Sequence, residues 1–268
     1  MKPPIRGIVV CVNYDDLLEI TLWRNMRHLT ECVVITTPTD ERTKEVCRKV
    51  PNVRVFETDA FTRFGAKFNK GLAMEEGFDF LGRHGWILIW DADTLFPDEL
   101  PSLNNLYQGR LYNAPRLILA DPTRWRPDLD WSTLPISNDK SFPGYFQLFY
   151  AGDRIINQRP WYDVTFAHAG GGDGYFESRW PNHLKIRMPE KVLHLGPRDT
   201  NWFGRASPRR DGLTVEEQEQ YQREMRDFLS FKGWAKTDVD VTTYNEKVAV
   251  PGATETGYKL RGRFDRAG

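Results

Sequence analysis

Cysteine is scarce in this chain, and the three present, Cys11, Cys32 and Cys47, are an odd number at no framework spacing. That excludes a disulfide scaffold and points to reduced core thiols. Net charge is also missing: 37 Lys and Arg balance 37 Asp and Glu. No global field therefore argues for a nucleic-acid or membrane partner. No apolar run approaches the roughly 20 residues needed to span a bilayer. The opening residues, Met-Lys-Pro-Pro-Ile-Arg-Gly, have no apolar signal core or cleavage site, and the expectation is a cytoplasmic protein with no membrane span. Internal repeats and low-complexity segments are absent too, so solenoids and disordered arrays drop out. What remains, 268 residues at 40% hydrophobic and 28% charged, is ordinary for a soluble globular enzyme or binding domain.

Short apolar runs at residues 8–12, 33–36, 53–56 and 86–90 read as strands. Between them, helical periodicity covers 17–29, 40–50 and 65–81. Such alternation predicts an α/β fold, a mixed, mainly parallel sheet flanked by helices. After Pro97 the alternation loosens. Strands are expected at 117–119 and 146–150, and a long functional loop at 121–145, rich in Pro, Trp and Asp. A glycine run, 170–174, opens a short helix ending near Trp180, and 183–195 holds one or two short strands. Thr214 and Glu217 form a capping box that starts a helix over about 215–233. The expected division is a main domain over 1–212, then a C-terminal helix and basic tail over 213–268.

The most informative stretch is Trp86-Ile-Leu-Ile-Trp-Asp-Ala-Asp-Thr-Leu-Phe-Pro97. A buried strand runs into two carboxylates at i and i+2, and alternation puts Asp91 and Asp93 on one side of its carboxyl end. Two hard oxygen ligands at a strand tip suit a divalent cation that also holds substrate phosphates. In open α/β sheets ligands bind at these strand ends. Two other D-x-D triplets, Asp128/Asp130 and Asp238/Asp240, sit in polar or loop contexts. Only the first caps an apolar strand, and the competing reading for it is a pair of solvated loop carboxylates.

Taken in order, these motifs resemble a glycosyltransferase of the GT-A (Rossmann-like) fold. Phe68-Asn69-Lys70-Gly71 followed by the 86–97 strand is similar to the β-1,4-galactosyltransferase pattern of a Phe-Asn-Arg helix start and an Asp-Val-Asp strand end. Asp173-Gly-Tyr-Phe176-Glu-Ser-Arg179 resembles half of the E-D-x-x-F-x-x-R motif of the inverting family that includes chondroitin polymerases. The resemblance spans roughly residues 6–196. It departs from the pattern at Gly172, where those enzymes carry an acid, and in lacking the galactosyltransferase run of consecutive acids.

The resemblance implies a metal-dependent transfer of a sugar from a nucleotide-sugar, with UDP as the nucleotide, to an acceptor hydroxyl, with inversion. It implies Mn²⁺ or Mg²⁺ on Asp93, with Asp91 on the donor ribose or reaching the metal through water. His194 would be a nitrogen ligand, or else a satisfied core histidine. Asp173 would be the general base, or else a helix cap. Asn13, Tyr14 and Asp15 fall where such enzymes hold the base, although a surface turn explains them equally. Arg63, Lys67 and Lys70 would reach the diphosphate, or remain exposed charges.

Trp125, Trp131, Trp161, Tyr162 and Trp202 are read from their loop positions as acceptor-lining aromatics, with Gly172 beside them. Residues 196–212, with Gly196, Gly204 and Gly212 as hinges and Trp202 as cover, read as a lid or as an ordinary surface loop. The locally basic stretch 179–210 leaves two acceptor classes open, a saccharide or glycan and a hydroxylated base in DNA. Rival readings are a sugar-nucleotide nucleotidyltransferase and a non-catalytic sugar- or nucleic-acid-binding module. The first needs a Gly-rich basic loop after the first strand, where this chain has Asn13-Tyr14-Asp15-Asp16.

Overall fold

The structure, a computed structural model, describes residues 2–137, 139–196 and 213–234. Four strands, β1 (Ile5–Val10), β2 (Glu31–Thr36), β3 (Val53–Glu57) and β4 (Trp86–Asp91), pair in parallel in the order β3-β2-β1-β4. Their connections are α1 (Asp15–Asn25), α2 (Glu41–Arg48) and α3 (Lys70–Leu81). The expected α/β architecture is therefore present. Period-2 alternation sorts the strand residues onto two apolar faces. Ile8, Val33, Ile35, Ile87 and Ile89 join α3 in one core. Val9, Val34, Leu88 and Trp90 join α1 and α2 in the other. Cys11, Cys32 and Cys47 are buried and free, and burial raises all three thiols, which leaves them inert.

Beyond β4 the pattern changes. In the chain's own order come β5 (Thr94–Leu95), β6 (Leu111–Asn113), β7 (Arg116–Leu119), β8 (Phe146–Tyr150), the helix α4 (Gly172–Ser178), β9 (Lys185–Arg187) and β10 (Val192–Leu195). Strand β8 lies antiparallel between β4 and β6, and β9 closes the far edge, giving a seven-stranded mixed sheet. A second, three-stranded sheet has the order β5-β10-β7. Apolar composition predicts β8 but says nothing of its direction. The two-residue β5 exists only because β10 pairs with it.

One helix departs from its expected extent. Periodicity predicts 65–81, but α3 starts at Lys70 because the Asn69 side chain accepts the Leu72 N–H at 2.8 Å and caps it. The preceding residues are held elsewhere: the Lys67 and Phe68 amides both donate to the Ala167 carbonyl. The last described helix, α5 (Val215–Lys232), begins at the capping box, with Thr214 and Glu217 bonded reciprocally. Its Tyr221, Met225 and Leu229, four residues apart, are buried in the α3-side core.

Candidate active site

Asp91 ends β4 on the face of Ile87 and Ile89, which is the α3 face. Lys70 occupies the first position of α3, and its Nζ lies 2.8 Å from Asp91 Oδ1. Burial alone would lower the Lys70 pKa, but Asp91, Asp173 and Asp93 outweigh it and leave the ammonium firmly charged. One carboxylate is thus paired with this cation and two more bear on its charge, an excess of negative charge at the carboxyl end of the central strand.

Simple alternation fails at the next step. The chain turns at Ala92 and Asp93, so the two carboxylates do not share one strand face. The Asp91 side chain is 37% exposed and that of Asp93 only 9%. Asp93 instead meets His194, whose Nε2 stands 3.4 Å from Asp93 Oδ2. The His194 Nδ1 lies 3.0 Å from the Gly196 carbonyl. A carbonyl only accepts, so Nδ1 carries the proton and Nε2 is turned toward the carboxylate. Burial depresses this imidazole, yet the charge of Asp93 prevails and raises its pKa. Among the described residues no three His, Cys, Asp or Glu side chains converge as a ready metal cage. A buried carboxylate with one oriented imidazole still fits Mn²⁺ or Mg²⁺, which complete their shells with phosphate and water oxygens.

The turn carrying Asp93 is pinned by residues the sequence reading missed. Thr21 Oγ1 donates to the Ala92 carbonyl at 2.7 Å. Asn25 donates to the Thr94 carbonyl and accepts the Phe96 amide, both at 2.8 Å. Both residues lie on the buried stripe of α1. Polar residues on an apolar helical stripe were the available signal.

Asp173 sits in the first turn of α4, after Gly171 in a left-handed conformation (φ 89°). Its carboxylate accepts the Gly144 amide at 3.0 Å and the Gly174 amide at 2.9 Å. Two of its lone-pair positions are so used, which leaves acceptor capacity for a proton. Beneath it, Gln147 Nε2 donates to the Asp173 carbonyl at 3.1 Å and receives the Tyr162 hydroxyl on Oε1 at 2.8 Å. Burial pushes the Tyr162 phenol well up, and the charges of Asp173 and Asp91 add to that. Gln147, a lone polar residue inside an apolar strand, was another legible signal. At Gly172 an added Cβ would stand 3.1 Å from Tyr162 Cδ1. An acid there, as in the resembled pattern, has no room without movement of that ring. Phe176 of the same motif is fully buried, and Arg179 bonds the carbonyls of Pro160 and Gln158.

Several expected ligands are committed elsewhere. Arg63 forms ion pairs with Asp59 and Glu76. Lys67 Nζ lies 4.0 Å from Glu217. Asn13 adopts a left-handed backbone (φ 59°), and its amide is fixed by Asp40 Oδ2 at 2.8 Å. Tyr14 precedes α1 and is partly buried, and Asp15 opens that helix. Trp161 lies in an irregular segment, as expected, but does not line an open surface: it is 3% exposed, packed on Phe78 and Phe149, and bonded to the Ile156 carbonyl. Tyr162 is likewise core.

Trp125 and Trp131 pack with Leu117, Leu119, Leu193 and Leu195. These leucines alternate with His194, so the two tryptophans cover the opposite face of the small sheet. Composition marks such aromatics as large apolar surface and cannot say which side they face. Trp202, Gly204, Gly212 and the lid reading lie outside the described residues, as do the basic tail and the Asp238/Asp240 pair.

No family model matches the chain, and no curated protein matches it in sequence. Many solved structures overlay on it loosely, and three serve as examples. One is 4-diphosphocytidyl-2C-methyl-D-erythritol synthase from Anaerococcus prevotii, at 14% identity and TM-score 0.42 over 84% of this chain and 100% of that one. Another is glucosyl-3-phosphoglycerate synthase from M. tuberculosis, at 13% identity and TM-score 0.44 over 88% and 83%. The third is the inositol-1-phosphate CTP transferase from T. maritima, at 10% identity and TM-score 0.45 over 86% and 98%. At this identity and overlap the activity has to be read from the chain's own residues. Among the described residues no helix is long and apolar enough to cross a membrane.

Proposed function

We propose that the chain is a metal-dependent glycosyltransferase that moves a sugar from a nucleotide-sugar, with UDP as the nucleotide, to an acceptor hydroxyl with inversion. One observation carries this reading. The Lys70–Asp91 pair, Asp173 and the Asp93–His194 pair share one electrostatic neighbourhood at the carboxyl end of β4, where open α/β sheets bind ligands. Asp93 and His194 hold the metal, which when bound neutralises the departing nucleotide diphosphate. Lys70 adds its ammonium to the phosphates, and Asp91 bonds the ribose. Tyr14 and the side chain of Asn13, whose backbone amide alone is held by Asp40, flank the base.

Asp173 acts as base. As the acceptor oxygen bonds to the anomeric carbon, its proton passes to the Asp173 carboxylate and the bond to the diphosphate oxygen breaks. A single displacement of this kind inverts the anomeric centre.

The rival nucleotidyltransferase reading finds little support in the β1–α1 connection. That loop has neither a glycine nor a basic residue, its Asn13 amide is already taken by Asp40, and Asp15 and Asp16 follow it. A triphosphate there would meet like charge. A DNA acceptor draws little support from the described part of the basic stretch, because three of its basic residues are bonded within the protein. Arg179 is bonded to backbone carbonyls, Lys185 to Glu177, and Arg187 to Asn113 and Ser141. A saccharide is the acceptor class proposed.

Turnover tests the reading. With Mn²⁺, a panel of UDP-sugars and glycan acceptors, one pair should yield product of inverted configuration by NMR. Asp173→Asn should bind UDP normally and lose at least about 10²-fold in kcat. Retained configuration would refute the single displacement. Release of pyrophosphate from a nucleoside triphosphate and a sugar phosphate would replace the whole reading with the nucleotidyltransferase. Ligand binding with no turnover of any pair would favour the non-catalytic module.

A further inference from the structure

We infer that Lys70, seated on Asp91 beside the metal seat, opposes the metal in the free protein and swings away only to a nucleotide diphosphate, so that metal and nucleotide bind as a coupled pair. The inference rests on the donor-site reading above and adds an order of events to it. In the structure the Lys70 ammonium is seated on Asp91 at 2.8 Å. Asp173 and Asp93 lie close enough to bear on its charge. An incoming dication at Asp93 and His194 meets this fixed positive charge at short range, and Asp91 is already neutralised by its partner. Both effects weaken metal binding in the absence of nucleotide.

A diphosphate changes the balance. Its oxygens offer Lys70 a second anionic partner and bring their own charge to the metal. The backbone around Lys70 cannot follow such a change. Asn69 caps the helix and also bonds the Val164 carbonyl and the Tyr221 hydroxyl. A Cβ on Gly71 would sit 1.8 Å from the Asp163 carbonyl oxygen, so the first turn of α3 is held tight against residues 163–164. Only the flexible lysine stem can swing from Asp91 to phosphate. Neither neighbouring cation fits this role: Arg63 is locked between Asp59 and Glu76, and Lys67 faces Glu217. Thermodynamic linkage then requires that the metal raise nucleotide affinity by the same factor as nucleotide raises metal affinity.

The test is Mn²⁺ titration of the full chain by calorimetry and by the electron paramagnetic resonance of free Mn²⁺, with and without UDP. Wild type, Lys70→Gln and Lys70→Arg are compared, with circular dichroism as the check on folding. Lys70→Met takes the place of Lys70→Gln if that variant does not fold. The expected result has two opposite signs. Lys70→Gln binds Mn²⁺ alone at least about tenfold more tightly than wild type, and binds UDP in saturating Mn²⁺ about tenfold more weakly. Lys70→Arg keeps the charge and stays weak toward Mn²⁺ alone. Wild type that takes up Mn²⁺ with UDP, beside a Lys70→Gln variant no tighter for Mn²⁺ alone, overturns the inference and leaves the donor site standing. Wild type that takes up no Mn²⁺ even with UDP overturns both.

Discussion

Gly71→Ala isolates the contact that fixes the backbone beside Lys70, the proposed phosphate side of the site. Gly71 follows Lys70 in the first turn of α3, and a Cβ added there would lie 1.8 Å from the Asp163 carbonyl oxygen and 2.8 Å from its carbon. Alanine gains at most about 1 kcal/mol over glycine in helix propensity. Overpacking costs about 1–3 kcal/mol, and the upper end applies here because the obstacle is backbone that cannot rotate aside. The clash therefore wins, and a net loss of about 1–2 kcal/mol is expected. Relief requires the helix start to move by about 1 Å, and Lys70 moves with it. A displacement of that size in a positioning group can cost about 10²-fold in rate.

Gly77→Ala is the control. Its Cβ would meet the tip of the Ile35 side chain at 2.3 Å, and a side-chain tip can adopt another rotamer, so the loss should be smaller and UDP affinity intact. Urea denaturation and UDP titration with Mn²⁺ measure both variants. A Gly71→Ala protein with wild-type midpoint and affinity, or a larger penalty at Gly77, would refute the reasoning.

Two further outcomes follow from buried polar groups. Asn25→Leu strips the Thr94 carbonyl of its donor and the Phe96 amide of its acceptor. Two unsatisfied backbone groups cost about 2–4 kcal/mol together, and Mn²⁺ affinity should fall as the Asp93 turn loosens; unchanged unfolding and metal binding would count against the turn's dependence on α1. His28 is held neutral chiefly by burial, against the opposing hydrogen bond to the Pro97 carbonyl, so its pKa in the folded protein is lowered. Its contribution is therefore intact above the unfolded value of about 6.5 and is lost as pH falls through the lowered folded value. Unfolding free energies at pH 7 and pH 5 should differ more in wild type than in His28→Gln, and equal differences would reject this assignment.

The parallel half of the sheet was legible because its strands are continuous apolar runs, and the helices between them repeat at 3.6 residues. The alternation even assigns Asp91 to the side on which Lys70 waits. What stayed hidden depends on pairing at a distance. The direction of β8, the existence of β5 and the turn that separates Asp93 from Asp91 are set by partners 50 or more residues away in the chain. The aromatic residues misled for a related reason. Trp161 and Tyr162 sit among Pro and Arg, as a loop would, yet the buried Glu75 carboxylate accepts both of their amides and draws them into the core. Thr21, Asn25 and Gln147 carried a usable signal, a polar group on an apolar stripe, and each of them supports a carboxylate-bearing segment of the site.

The most direct measurement is calorimetric titration of UDP into wild type and Asp93→Asn, each with and without Mn²⁺. The account predicts binding that depends on Mn²⁺ in wild type and that falls at least about tenfold in the variant, a loss of about 1.4 kcal/mol. Binding indifferent to both the metal and the substitution would contradict the assignment of Asp93 and His194 as the metal seat.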